Sequence, residues 1–439
     1  MFFDDDGGRE ALYAYLVSAA FRVAGASVTV LRGTSAALGV LGVVLIWLAL
    51  RRYGRAAALA GAVWAAGSLW LIAVSRDGFR NVIVVPAGAL ALWTLLRWQE
   101  RPTRVTAACA GAAMGLGLWT YQPLKLLPLL ALLWILWIRR RDRARYALIR
   151  STVPWCVGAY LVVAAPMIYT AIADFRNYFG RGAAVSLFNP SVGAPESFQV
   201  HVLRTLGMFL VTGDPNQRHN VDGLPLLGPL LCIPFAAGLW RAWSLRARPE
   251  CSLLLAGLLV FLVPPLVATE GASPHFLRSL GLAPYIAGLV GVGCVQIAAA
   301  AVTVSARAAA RGVVGATAAV LLMLGGVMSL RAYLDRPVSH RFDDFYFVGT
   351  QLAAAARGGP ATVAVIDSYD AVDVRFLDAG ALPTLVEPGQ RLAHPGVYRL
   401  VVARSREDIA AATDTATAAR ARIVATDPSG RPTVWEVIP

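Results

Sequence analysis

Long uncharged apolar runs alternate with short arginine-rich loops along this chain, and that rhythm limits its fold more than any single motif does. From Ala56 to Ser75 there is no charged side chain, and from Asn81 to Leu96 there is none again. Between them stands Ser75-Arg76-Asp77-Gly78-Phe79-Arg80-Asn81, a charged island short enough to be the tight turn of a helical hairpin. Runs of this length are what a helix needs to cross a hydrocarbon layer about 30 Å thick. A water-soluble fold is a poor alternative. Of the 439 residues, 57% are hydrophobic and only 15% charged, more apolar surface than a soluble domain of this size can hide.

Ten candidate spans follow from the pattern, at about 33–50, 56–74, 81–97, 105–120, 123–138, 152–173, 223–240, 252–269, 280–300 and 312–330. Residues 10–24 form an apolar helix too short to span, as expected for a helix lying in the membrane interface. Alternate loops differ in charge. One set carries Arg51, Arg52, Arg55, Arg97, Arg101, Arg104, Arg139 to Arg141, Arg143, Arg145, Arg150, Arg241, Arg246, Arg248, Arg307 and Arg311, against only Glu100, Asp142 and Glu250. Positive charge in short loops marks the cytoplasmic side. The net charge of +14 therefore reflects topology, and nucleic acid is not an expected partner. The other set of loops is longer, mixed in sign and rich in Asn, His, Gly and Pro, the character of a functional face. It includes the opening stretch, the island, the Thr120–Gln122 turn, 174–222 and 270–279.

Beyond Arg331 the pattern changes. Segments 362–366, 398–403, 422–425 and 433–438 read as strands, and 345–356 and 405–419 as helices. The organisation expected is an outer-face loop with an interfacial helix (1–30), a multi-span region (31–331) and a small α/β extracytoplasmic domain (332–439). The fold class is thus an all-α polytopic membrane protein with a small α/β appendage. The five cysteines lie in or beside apolar runs, with no disulfide or metal spacing. An acidic start differs from a secretory signal. Ten spans would leave both termini outside, which points to one further span upstream of Met1.

The outer loops hold the candidate chemistry. Arg76 and Arg80 offer planar forks of donors suited to phosphate oxygens, or simply a headgroup contact or an ion pair with Asp77. Lys125 is the only lysine in the chain; it closes the turn after Tyr121 and Gln122, as a phosphate contact or a snorkelling side chain. His275 and Arg278 are three apart, so a helix starting at Pro274 would put them on one face. Asp214, Arg218, His219 and Asn220 lie in a segment dense in hydrogen-bonding groups, a sugar pocket or an ordinary turn cluster. Asp4, Asp5, Asp6 and Glu10 are the acidic cluster nearest the outer edge. There a carboxylate can act as general base or hold a divalent metal ion, or can simply be solvated.

Taken in order, Gly8-Arg9-Glu10-Ala11-Leu12-Tyr13-Ala14-Tyr15-Leu16, Leu31-Arg32, the Ser75–Asn81 island, Gly115-Leu116-Gly117-Leu118-Trp119-Thr120-Tyr121-Gln122-Pro123, Arg218-His219-Asn220 and His275-Phe276-Leu277-Arg278 resemble the bacterial GT-C membrane glycosyltransferases, the dolichyl-phosphate-mannose-protein mannosyltransferase-like group. The resemblance runs through most of the span region. It implies a multi-pass plasma-membrane enzyme that takes a sugar from a polyprenyl-phosphate donor on the extracytoplasmic face. It implies a carboxylate in the first outer loop as base or metal ligand, for which Asp5, Asp6 and Glu10 are the candidates here. Arg76, Arg80, Lys125, His275 and Arg278 would hold the lipid phosphate. Arg9, Asp77, Tyr121, Asp214, Arg218, His219 and Asn220 would line the substrate. In the family pattern the acidic pair precedes the segment like Gly8–Leu16, so the base is expected upstream of this sequence. Two other readings stay open: a transporter, disfavoured by spans nearly free of ionisable groups, and a non-catalytic scaffold presenting the C-terminal domain.

Overall fold

A computed structural model of the protein describes residues 2–3, 9–184, 186–187, 196–216, 219–268, 273–304, 324–332, 334–335, 351–352, 355, 363–366, 384–386, 390–394, 397–426 and 430–437. The chain divides into two compact units, Met1–Asp335 and Arg336–Pro439.

The first unit is helical. A short antiparallel pair, β1 (Phe2–Phe3) and β2 (Arg9–Glu10), precedes α1 (Leu12–Ala24). α1 ends at Gly25, whose φ of 81° suits a residue without a Cβ. α2 (Val28–Leu50) starts where the Ser27 hydroxyl accepts from Val30 N–H, the usual satisfaction of an orphan helix donor. Its 23 residues rise about 35 Å at 1.5 Å each, enough to cross a bilayer. The next run is broken: α3 (Arg55–Gly67) and α4 (Leu69–Arg76) meet at a 55° bend. The island then turns through Gly78 (φ 70°), whose missing Cβ would lie 3.0 Å from Leu31. That contact brings the island back to the start of α2.

α5 (Val84–Glu100), α6 (Arg104–Gly117), α7 (Leu127–Arg141) and α8 (Arg143–Ala173) follow. α9 (Phe175–Ala184) and α10 (Phe198–Gly207) are short. α11 (Gly228–Ser244), α12 (Pro249–Val267) and α13 (Ala283–Val304) complete the long helices, and 324–332 is helical. Three 3-10 turns, Arg80–Ile83, Gln122–Leu126 and Leu280–Leu282, lead into α5, α7 and α13.

Glycines let backbones meet where side chains would hold them apart, as in membrane helix packing. A Cβ on Gly111 would fall 1.9 Å from the Cys156 carbonyl oxygen, welding α6 to α8. Gly238 and Gly293 do the same between α11 and α13, and Gly61 and Gly291 between α3 and α13. Tryptophans tie the ends: Trp134 and Trp137 donate to the carbonyls of Pro249 and Arg246.

Among the described residues, six helices are long and apolar enough to cross a membrane, or seven if the bent α3–α4 pair is one span; of the ten runs expected, three are not among them. α6 has 14 residues and α11 has 17, because Pro102, the Thr103 cap and Leu118 bound the first and the 219–228 turns delay the second. Most of 312–330 lies outside the described residues.

The second unit is a small α/β domain. Its five-stranded sheet has the order β4-β3-β5-β7-β6, built from β3 (Val363–Val365), β4 (Thr384–Leu385), β5 (Leu400–Val402), β6 (Arg422–Thr426) and β7 (Pro432–Glu436). β3 runs parallel to β4 and β5, and β7 antiparallel to β5 and β6. The helix expected over 405–419 is two, α14 (Arg406–Ala412) and α15 (Thr415–Arg420), since Asp414 caps a new start by accepting from Thr417 N–H.

Candidate functional site

Two clusters of ionisable groups form at one end of the helical unit. The first centres on Glu10. α1 is fastened to α2 by Tyr13, whose hydroxyl lies 2.6 Å from that of Ser35, and this brings Glu10, just before α1, to the mouth of the bundle. Arg80 opens the 3-10 turn before α5, and its Nη1 is 3.5 Å from Glu10 Oε2. Lys125 opens the way into α7, with Nζ 3.3 Å from Glu10 Oε1. Each carboxylate oxygen therefore faces a different cation. The Glu10 side chain is 3% exposed, against 16% for Arg80 and 21% for Lys125. The carboxylate sits behind, and the cations are the accessible part.

Aromatic faces support both cations. Arg80 lies 5.6 Å from the centroid of buried Tyr121, and Lys125 4.0 Å from that of Tyr178, within cation–π range. Tyr178 belongs to α9, which crosses the Gln122–Leu126 turn; a Cβ on Gly182 would lie 3.2 Å from the Gln122 side chain. Burial pushes the Tyr178 phenol up to about 12, with Glu10 and Tyr160 adding to the shift. Tyr178 was not singled out in the sequence. Its signal was the spacing Phe175, Tyr178, Phe179, one aromatic turned in and two exposed.

The second cluster joins two loops. Gly213 to Leu224 closes on itself: Gly213 N–H donates to Gly223, and Asn220 Nδ2 donates to the carbonyls of Asp214 and Leu224. Asn220 thus holds the loop closed. Inside it, Asp214 is buried and fully engaged. Oδ1 accepts from Asn216 N–H at 2.8 Å, and Oδ2 accepts from Phe276 N–H at 2.7 Å and faces His219 Nδ1 at 3.0 Å. Burial raises the Asp214 carboxyl, but the His219 hydrogen bond, the charges of His219 and His275 and the Phe276 amide outweigh it and hold it below the usual carboxylate range. The His275 ring lies 5.4 Å from that of His219. Trp70 on α4 donates to the Phe276 carbonyl at 3.1 Å, so the hairpin that carries Arg80 also anchors this loop.

Among the described residues, Asp214, His219 and His275 are a group able to hold a metal ion, with ligand atoms within 4.8 Å of one another. Two imidazoles and a carboxylate suit a borderline divalent cation such as zinc.

The other expected residues fall as follows. Arg278 is buried beside His275, but 276–279 are turns leading into the 3-10 segment, not an α-helix presenting the two on one face. The cause is the chain of turn bonds Ser279 N–H to Phe276 and Leu282 N–H to Ser279. Arg76 and Asp77 are exposed at the tip of the island. Asp4, Asp5, Asp6, Arg218 and the Arg9 side chain lie outside the described residues. Sequence reasoning missed a third group. Buried His201 lies between Glu196 (3.4 Å) and the Pro265 carbonyl (3.0 Å), while Glu196 also accepts from Ser273 and Arg204. It also missed Asn81, 1% exposed, whose two amide atoms have no hydrogen-bond partner among the described residues.

Residues 11–169 match the model of the dolichyl-phosphate-mannose-protein mannosyltransferase family; Glu10 and the second cluster lie outside the match. Among solved structures, ArnT from Cupriavidus metallidurans bound to undecaprenyl phosphate superposes with a TM-score of 0.64 at 14% identity, over 97% of this chain and 87% of that one. The apo state of the same protein gives 0.62 at 14%, over 96% and 86%. The oligosaccharyltransferase AglB from Archaeoglobus fulgidus, in complex with an inhibitory peptide and a dolichol-phosphate, gives 0.51 at 14%, over 85% and 56%. No curated protein matches the chain. The match over residues 11–169 is a similarity to that family over part of the chain, and the structural likenesses, at 14% identity, show that the fold is shared.

Proposed function

We propose that the chain transfers a sugar from a polyprenyl-phosphate donor to an acceptor hydroxyl on the extracytoplasmic face of a bacterial plasma membrane, with the C-terminal unit on that side. The observation that carries this reading is the Arg80–Lys125 pair, backed by Glu10 and presented at the mouth of an ArnT-like fold. Two preorganised cations are suited to the phosphate that leaves when the anomeric carbon is attacked, because fixed charge aimed at developing negative charge lowers the barrier.

In this reaction an acceptor hydroxyl attacks the anomeric carbon from the side opposite the phosphate and inverts it. The carbon–oxygen bond to phosphate breaks, and the phosphate keeps the electron pair. The acceptor proton goes to a carboxylate of the first outer loop, Asp5 or Asp6. Arg76, His275 and Arg278 are further candidates for the lipid phosphate, and Arg9, Asp77, Tyr121, Asp214, Arg218, His219 and Asn220 are candidates for the sugar and acceptor. A divalent cation, if used, would be held by His219 and His275, with Asp214 orienting His219 from behind, and would supply Lewis acidity toward phosphate oxygens.

The test is sugar transfer in membranes carrying the Arg80→Ala, Lys125→Ala double variant, supplied with undecaprenyl-phosphate-linked sugars. Loss of transfer with the protein still inserted is expected. Transfer at the parental rate would sink the assignment.

A further inference from the structure

α5 and α7 begin at the Glu10 mouth and run to the other end of the helical unit. Four helix turns meet there: 51–54 between α2 and α3, 101–103 between α5 and α6, Asp142 between α7 and α8, and 245–248 between α11 and α12. Each turn is tied to the next. Arg52 pairs with Glu100 at the end of α5. Arg145 Nη1, at the start of α8, donates to the Gln99 carbonyl at 2.8 Å. Trp137 and Trp134 of α7 reach the Arg246 and Pro249 carbonyls at 3.0 and 2.8 Å. The Tyr53 hydroxyl donates to the Glu250 carbonyl at 2.7 Å and closes the ring. We infer that this ring of turns is a binding surface for anionic phospholipid headgroups in the leaflet at that end.

Most bonds of the ring run from indole or phenol donors to backbone carbonyls, so they hold the turns together without using up the guanidinium groups. Arg101, Arg140, Arg143 and Arg150 are exposed, and none forms an ion pair among the described residues. The neighbouring acids are engaged elsewhere. Glu100 faces Arg52, and Asp142 accepts from Arg145 N–H. Crowded like charges repel, and an anionic layer relieves them. A second observation says what kind of anion fits. Arg51 lies 5.1 Å from the Trp47 centroid, Arg104 5.4 Å from that of Trp155 and Arg246 4.8 Å from that of Trp243. Those three indoles are themselves 38%, 50% and 59% exposed. A cation stacked on a bare indole makes a boundary that is charged on one side and apolar on the other, as at a membrane interface. A water-borne anion would meet the guanidinium and leave the ring uncovered. A phospholipid covers both, with its phosphate on the arginine fork and its glycerol and acyl region against the ring.

The experiment uses the full chain in nanodiscs of phosphatidylcholine mixed with phosphatidylglycerol, with spin-labelled versions of the two lipids as probes. The parent should favour the labelled phosphatidylglycerol by about five- to tenfold, the scale that one or two arginines at a headgroup layer supply. Added salt should lower that preference. The combined variant Arg101→Gln, Arg140→Gln, Arg143→Gln, Arg150→Gln should bring it below about twofold. Equal association of the two lipids with the parent would overturn the inference. So would a preference that survives the four substitutions, or one that salt leaves unchanged. If the fourfold variant does not insert, Arg140→Gln with Arg143→Gln should lower the preference by at least about twofold, and an unchanged value overturns the inference. The mouth also carries cations, so Arg80→Ala with Lys125→Ala is measured alongside. The preference should persist there; its loss would move the lipid to the mouth and overturn the inference.

Discussion

The two clusters at the mouth of the bundle use the same ingredients in opposite ways. Around Glu10 a carboxylate is held by charge, at 3.3 and 3.5 Å from two cations that remain partly accessible. Around Asp214 a carboxylate is held by direction, with two backbone N–H donors and an imidazole within 3.0 Å. The first arrangement advertises charge to a visitor. The second spends its carboxylate on fixing one imidazole, as a carboxylate does behind a metal-binding or proton-moving histidine. Charge pairs tolerate displacement and directional networks do not, so equivalent substitutions should have different signatures at the two places.

The largest expected effect is loss of the cations. Arg80→Ala with Lys125→Ala should lower transfer by at least about 100-fold, the scale of losing charge stabilisation in a group-transfer site, measured with radiolabelled lipid-linked sugar. Next comes the neutral amide in the other cluster. Asp214→Asn should lower transfer by about 10- to 100-fold, the usual loss for a partner that orients a histidine. If Asp214→Asn transfers sugar at the parental rate, the contrast between the clusters collapses.

The same Asp214 carboxyl has a pH signature. Its folded value lies below the ordinary carboxylate value. Its contribution to stability is therefore fully present above about pH 4 and fades as pH falls through the lower folded value. Melting curves of the parent and Asp214→Asn should differ at pH 7 and converge in acid; a gap that widens in acid would show the opposite sign. A smaller effect joins the clusters. Trp70→Phe removes the 3.1 Å bond to the Phe276 carbonyl and should cost about 1 kcal/mol in denaturation, as one buried hydrogen bond does. The smallest is a gain. Asn81→Leu removes a buried amide without a partner among the described residues and should raise stability by up to about 1 kcal/mol; a clear loss would show that the amide is satisfied in the folded protein.

The helical body was legible because burial in lipid writes itself as uncharged runs, and the hairpin turn at Ser75–Asn81 because charge interrupts them. The bend at Ser68 was not, since Gly67 and Ser68 are small residues inside an uncharged run and only their pairing marks the break. Arg80, Lys125 and Glu10 were all picked out, but as separate candidates. Their meeting depends on chain segments 70 and 115 residues apart in sequence, and pairing over such distances leaves no local mark. Asp214 was seen as one hydrogen-bonding group among many. What distinguishes it is the Phe276 backbone N–H, and backbone donors are the same at every position. His201 was invisible for a related reason, because one of its partners is the Pro265 carbonyl.

The 3-10 turns before α5, α7 and α13 have a consequence beyond their side chains. They touch one another or each other's helices at the mouth, so three helices begin there together. Each helix start carries the partial positive end of its peptide dipoles, equivalent to roughly half a charge. Arg80 and Lys125 therefore stand at the electrostatically wrong ends of α5 and α7, where a cation is repelled by its own backbone. Glu10 offsets this repulsion from the buried side, and a further anion at the mouth would offset it again. The mouth's preference for negative charge belongs partly to the direction in which the chain enters the membrane, and no side-chain substitution can remove it.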